Sequence, residues 1–318
     1  MTARFPIGTA IFPPTAQKVI NSIKLAEEMD VPMIWVPSWP IGPDGFHIVT
    51  AAATQTSNIG LATGITISYP RHPLTVANEA LVMAELAPQR FRLGIGASHK
   101  TAIEGIYGLD FAKPIGYLRE YITILRNFLW EGHVDFSGEY YNVHAALPPM
   151  IEPPRIPIVL AAVRRNMLRL AGEVSDGALA IWSPLPYIQN VALPALEEGA
   201  RSVNRPRPRM IANFTIMLEH DFGVVRQHAQ AAFNVYRNFP TYAKLFQEAG
   251  FPLKSDGQLS DELIHELYFY GDEDTIRARL YAMYEGGVDE LLVAISPVND
   301  PVQEQKRLFE IIASINKA

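Results

Sequence analysis

Short apolar runs alternate with helix-like periodicity from one end of the chain to the other. The runs fall at Phe5–Ala10, Met33–Val36, Ile59–Ile67, Phe91–Ile95, Ile156–Ala162, Gly177–Trp182, Met210–Leu218 and Glu290–Ile295. Several are apolar on consecutive residues, the pattern of parallel strands buried on both faces. Between them lie stretches with apolar residues three and four apart. One carries Ile115, Leu118, Ile122, Leu125 and Leu129 and closes at Gly132, a helix with a glycine stop. The last opens Asp300-Pro301-Val302-Gln303: an N-cap acid, proline at the first helical position and Gln three residues after the cap.

Eight strand signals in strict alternation with helices predict an α/β protein, a closed (β/α)8 TIM barrel forming a single domain over 1–318. The rival is an open doubly wound sheet. Its first strand-to-helix turn should be a glycine fingerprint, whereas here that turn reads Ile11-Phe12-Pro13-Pro14 and the glycine-rich turn comes fourth. Two segments fit neither strand nor barrel helix. Residues 133–155 contain the hairpin-like FSGEYYNV, and 240–265 contain a short helical piece around Tyr242–Ala249. Both are read as insertions at the C-terminal face, serving as lids or interface elements.

Composition narrows the function classes. The 318 residues are 48% hydrophobic and 19% charged, with 27 Lys and Arg against 33 Asp and Glu, a net charge of −6. No basic run offers to neutralise phosphates along a duplex, so no nucleic-acid partner is expected. Cysteine is absent, which removes disulfides, thiol nucleophiles and thiolate metal sites. The eight histidines are scattered without HxH or HExxH spacing, so no metal site is expected. The start lacks the apolar core of a signal peptide, and no run approaches the roughly 20 apolar residues of a membrane span. The expectation is a soluble cytoplasmic protein with a small-molecule substrate and no membrane partner.

In a TIM barrel the chemistry sits at the C-terminal strand ends. The third run ends TGITISYPRHP. Arg71 and His72 there read either as site residues or, for His72, as the cap of a helix opened by Pro73. The fourth ends GIGASH: Gly94 and Gly96 let a ligand approach the backbone, Ser98 offers a hydroxyl, and His99 changes charge most easily near neutral pH. The fifth ends in Ala161-Ala162-Val163 and a helix start at Arg164 and Arg165, an anion site by dipole and charge. The sixth places Trp182 to stack on a flat ligand or to cap the core. The second places Ser38 and Trp39 at the mouth, with Trp35 in the core.

Together these stretches resemble the luciferase-like monooxygenase superfamily, which holds flavin-dependent bacterial-luciferase relatives and reductases that use the deazaflavin coenzyme F-420. The pieces that carry the likeness are AEEMDVPMIWVPS, TGITISYPRHPLTVANEALVMAEL, FRLGIGASHK, REYITILRNFLWEGHVDFSGEYYNV, PPRIPIVLAA, MLRLAGEVSDGALA and GDEDTIRARLYAMYEGGVDELLVAI, in the family's order. The run GASHKTAIEGIYGLDFAKPIGYLREY is most similar to the deazaflavin branch. The resemblance implies a TIM barrel, usually a homodimer, with the flavin-type ring above the C-terminal mouth. It implies a non-proline cis peptide at Gly64-Ile65, with Thr66 beside it. It implies ring-edge contacts at Ala97, Ser98 and His99, beyond Gly96, and a phosphate loop at Ala161, Ala162, Val163 and Arg164. Two positions depart from the family. The Asp/Glu-His pair that many relatives carry after the second strand is Ser38-Trp39 here, and the Gly-Pro-Lys-like start of the phosphate helix is Val163-Arg164-Arg165.

The leading expectation is an oxidoreductase that moves a hydride between F-420 and a small organic substrate, with His99 as general acid/base. The substrate pocket would draw on Trp39, Tyr107 and Trp182, with Tyr242 or Phe246. One alternative is an FMN-dependent monooxygenase. Another is a flavin-binding protein without turnover, to which the missing strand-2 histidine points.

Overall fold

In a computed structural model, residues 5–12 and 15–317 are described; the expected Pro13-Pro14 turn lies outside them. Twelve strands follow in chain order: β1 Ile7–Ala10, β2 Met33–Val36, β3 Gly60–Thr63, β4 Thr66–Ile67, β5 Phe91–Gly96, β6 His133–Ser137, β7 Asn142–Ala146, β8 Ile158–Ala161, β9 Gly177–Ala180, β10 Arg209–Met217, β11 Tyr268–Tyr270 and β12 Glu290–Ile295. Parallel pairing runs β1–β2–β3–β5–β8–β9–β10–β12 and closes back onto β1. This is the predicted eight-stranded TIM barrel, and each expected run supplies one of its staves.

The interior follows from strand alternation. Ala10, Trp35, Ala62, Val159, Leu179, Ile211 and Leu292 pack as one buried cluster, separate from the larger one between strands and helices. Their neighbours two residues earlier face the same way, which sends Met33, Arg209 and Glu290 to the bottom of the barrel. Trp35 fills the middle layer, fully buried.

The third run is not one strand. It breaks after Thr63, the Gly64–Ile65 peptide is cis, and pairing resumes at Thr66–Ile67 against Ile95–Gly96. The break aims Ile65 at the fourth stave. An added Cβ at Gly96 would lie 2.8 Å from Ile65 Cδ1 and 3.1 Å from Ala161 Cβ, and one at Gly94 would lie 2.0 Å from the Thr63 carbonyl oxygen. These two glycines admit the neighbouring staves and the Ile65 side chain, a structural reason for glycine at both positions.

The two long segments differ in position. The β6–β7 hairpin follows the helix Pro114–Arg126 and its continuation Asn127–Glu131, and it precedes β8. It therefore springs from the N-terminal end of the barrel, not the C-terminal face expected for it. It folds back along that helix until the Glu120 carboxylate accepts from the backbone N–H groups of Glu139, Tyr140 and Tyr141. The other segment lies between β10 and β12 on the C-terminal side and holds the helices Pro240–Glu248 and Asp261–Leu267. The last helix, Pro301–Lys317, is capped by Asp300, which accepts from Val302 and Gln303. The reciprocal acceptor is Glu304 rather than Gln303: it takes the N–H groups of Val298, Asn299 and Asp300.

Candidate active site

The C-terminal mouth collects the ends of β5, β8 and β9. After β5, Ser98 turns into the left-handed region at φ 61° and His99 stands at the start of the helix Lys100–Gly105. The His99 ring stacks on Phe239 with centroids 4.0 Å apart, and Tyr242 (5.8 Å) and Tyr236 (6.4 Å) complete a cage. Burial among these rings pulls the imidazole down to about 4, so it is neutral at neutral pH. A neutral imidazole offers one N–H and one free lone pair.

After β9, Trp182 also takes a positive φ, 54°. Its indole packs between Phe233 and Tyr236, both at 5.4 Å, with Tyr268 at 6.5 Å. Tyr236 thus bridges His99 and Trp182. After β8, Ala162 is buried, and the Val163 carbonyl accepts from the Tyr187 hydroxyl at 2.9 Å. Arg164 caps the helix Arg165–Val174 and pairs with Glu248, while its Nη1 is buried without a partner. Arg165 is exposed and pairs with Glu198 at 2.8 Å. The two arginines that sequence assigned to an anion therefore already hold carboxylates.

The β2 side is differently built. Ser38 Oγ donates to Asp44 (3.2 Å) and accepts from the Gly45 N–H (3.0 Å), so its hydroxyl fastens the helix Gly45–Ala53. Asp44 accepts from Arg71 at 2.7 Å and contacts His47 at 2.9 Å. Burial raises the Asp44 carboxyl, but the Arg71 guanidinium and His47 outweigh it and hold it at about 2. The Ser38 backbone N–H donates to the Ile65 carbonyl at 3.2 Å, which ties this loop to the cis turn. His72 Nδ1 accepts from the Leu74 N–H, the capping role weighed for it. Thr66 is fully buried, its hydroxyl without a partner. Trp39 lies beside Phe12 at 6.4 Å, and Tyr107 donates to the Pro40 carbonyl at 3.0 Å, so these two share the β1–β2 rim. Tyr242 and Phe246 are buried.

Sequence reasoning missed Tyr236, Phe239 and Glu248. The signal was present: Phe233, Tyr236, Phe239, Tyr242 and Phe246 recur at spacings of three and four. Among the described residues no group of three or more His, Asp or Glu is placed to hold a metal, and no helix is long and apolar enough to cross a membrane.

A family model described as luciferase-like monooxygenase matches residues 3–290, and the chain belongs to that family. One relative is the 5,10-methylenetetrahydromethanopterin reductase of Methanopyrus kandleri, 26% identical over 93% of this chain and 92% of its own. Two solved structures share the fold. An F-420-dependent secondary alcohol dehydrogenase in complex with an F-420–acetone adduct superposes with TM-score 0.79, 18% identity and 99% coverage of both chains. The oxygenating constituent of 3,6-diketocamphane monooxygenase of Pseudomonas putida, in complex with FMN, gives 0.76, 17% and 97% of both. The named relatives are oxidoreductases and monooxygenases, and this chain is an enzyme of the luciferase-like class.

Proposed function

We propose that the protein is an oxidoreductase that passes a hydride between the deazaflavin F-420 and a small organic substrate at the barrel mouth. The observation that carries this reading is the convergence of His99, Trp182 and Arg164 from three adjacent strand ends. Arg164 Nη1, buried and unpartnered, is a donor in want of an acceptor, and a cofactor phosphate is one that fits it. The backbone after β8 and the flank of Trp182 would hold the rest of the group. The relative from Methanopyrus kandleri is named for a reductase of a pterin substrate, which supports the reductase side of the family.

A bound deazaflavin supplies hydride exchange at C5 of its ring. The chain's part is to hold ring and substrate together, exclude water and manage the proton. His99 is neutral at neutral pH, which leaves it a lone pair to accept a proton, while its burial lowers its basicity. This would suit a carbinol substrate, whose O–H proton His99 would take while the bound deazaflavin would supply the hydride-accepting chemistry. Tyr236 and Tyr242 pack beside the imidazole and narrow the approach to it.

Fluorescence titration of the purified chain with oxidised F-420 and, separately, with FMN tests the reading. Saturable binding of F-420 and not FMN, followed by loss of deazaflavin absorbance with a carbinol donor, is the expected result. Preference for FMN with oxygen consumption would move the protein to the monooxygenase side, which the fold shared with the camphane enzyme supports. Binding without hydride exchange would leave a cofactor-binding protein.

A further inference from the structure

The segment between β10 and β12 touches each of the three mouth residues assigned above. Phe239 stacks on His99 at an interplanar angle of 19°, Tyr236 lies against Trp182, and Glu248 pairs with Arg164. These partners come from three strand ends, yet one short stretch reaches them all. The chemistry of the contacts also matches what a flavin-type cofactor would bring: a flat ring on the imidazole and an anion on the guanidinium. The match is incomplete in an informative way. Glu248 leaves Arg164 Nη1 buried and unsatisfied, an open donor that a phosphate oxygen would satisfy.

Burial along the segment separates anchor from gate. Tyr242, Leu245 and Phe246 are fully buried and hold the helix Pro240–Glu248 down. Phe239, just before the helix, is only partly buried, and the Glu248 side chain is 44% exposed. Lifting the helix would strip three large apolar side chains from the core. Rotating Phe239 and Glu248 outward leaves those three side chains in place.

We propose that Phe239 and Glu248 are internal stand-ins for the cofactor. In the cofactor-free chain the Phe239 ring covers His99 and the Glu248 carboxylate occupies Arg164. Both side chains swing out when a flat ring and its phosphate enter, while the helix stays docked. The inference rests on the reading that a flavin-type cofactor binds at this mouth. It makes both side chains competitors of the cofactor, although they sit within its site.

The test is the dissociation constant for oxidised F-420 and for FMN, read by fluorescence titration at fixed ionic strength. The proteins are the wild-type chain, Glu248→Gln, Phe239→Ala and Glu310→Gln. Glu310 is exposed on the last helix, away from the mouth, and controls for the change of net charge. Glu248→Gln should tighten binding about two- to fivefold, the scale of a partly exposed ion pair. Phe239→Ala should tighten it about two- to tenfold, the scale of an aromatic pair. Glu310→Gln should leave it unchanged. Should the alanine variant not fold, Phe239→Leu keeps an apolar side chain and should shift affinity in the same direction. Weaker or unchanged binding in Glu248→Gln and Phe239→Ala, with the wild type binding normally, overturns the stand-ins and leaves the cofactor site standing. Equal tightening by Glu310→Gln overturns them as a general charge effect. If no variant binds either cofactor, the site reading falls, and the stand-ins with it.

Discussion

The two ends of the barrel use the same kinds of residue for opposite purposes. At the floor, Glu290 is buried and accepts from Arg92 at 2.6 and 2.7 Å and from Arg209 at 3.2 Å. At the mouth, Arg164 meets one carboxylate and keeps a buried Nη1 unpartnered. Backbone conformation divides the same way. At the floor, Asp30 and Asn204 take positive φ just past helix ends. In each case the N–H groups of that residue and the next return to carbonyls of the last turn, Asp30 to Glu27 and Val31 to Ala26, Asn204 to Arg201 and Arg205 to Ala200. That is the usual helix stop. At the mouth, Ser98 and Trp182 take positive φ after strands, where no helix needs stopping. That rule accounts for Asp30 and Asn204, although Arg155, on the way into β8, takes φ 50° with no helix to stop. The mouth breaks it where a ligand would supply the reason.

Breaking the floor should have the largest effect. Glu290→Ala leaves two arginines facing each other inside the barrel without a counter-charge. The expected loss is about 3 kcal/mol, because an uncompensated charge is left behind. Urea unfolding measures it. Cofactor affinity per folded molecule should not change, and a large fall in that affinity would mean the two ends are coupled and the comparison misplaced.

The next effect belongs to the mouth and depends on pH. His99 is held at about 4 in the folded chain by burial, against roughly 6.5 when unfolded. The unfolded chain therefore binds the extra proton first as pH falls. His99's share of stability is intact above about pH 6.5 and is lost progressively down to about pH 4, by about 1–3 kcal/mol after allowance for the ring's partial exposure. His99→Phe keeps a ring against Phe239 and should flatten the stability profile over that interval. An unchanged slope would mean that the imidazole titrates as if in water.

The difference between the ends also explains what sequence could reveal. Staves such as Gly177–Ala180, and residues 291–295 of β12, are runs of consecutive apolar residues, and burial on both faces writes that pattern directly. β11 has three residues and pairs only along the far end of β10, too short to leave a period. The break in Ile59–Ile67 was invisible to periodicity, since both halves are apolar and the peptide geometry is not a property of composition. The fold's charged floor was equally hidden: Arg92, Arg209 and Glu290 are far apart in sequence and meet only when the barrel closes. At the mouth, the strand ends marked His99 and Arg164 as positions, but not their neighbours. The rings that cage His99 come from a segment with no local reason to face it.

The smallest expected effect sharpens the contrast most. Ser98→Gly and Asn204→Gly each put glycine where φ is positive, at 61° and 55°. Each relieves a side chain in the left-handed region, a cost of roughly 1–2 kcal/mol for most residues and less for Asn, and each adds backbone freedom to the unfolded chain, which takes back about 0.5–1 kcal/mol. The net gain in thermal stability should be about 1 kcal/mol or less at Ser98 and close to zero at Asn204. Only at the mouth should function follow. Ser98→Gly frees the backbone that carries His99 and removes a hydroxyl beside it, so cofactor binding should weaken even as the fold gains, while Asn204→Gly leaves binding unchanged. Differential scanning calorimetry paired with the same fluorescence titration separates the two. Equal behaviour of the two variants in both measurements would make Ser98 one more turn residue, and the mouth no more strained for function than the floor.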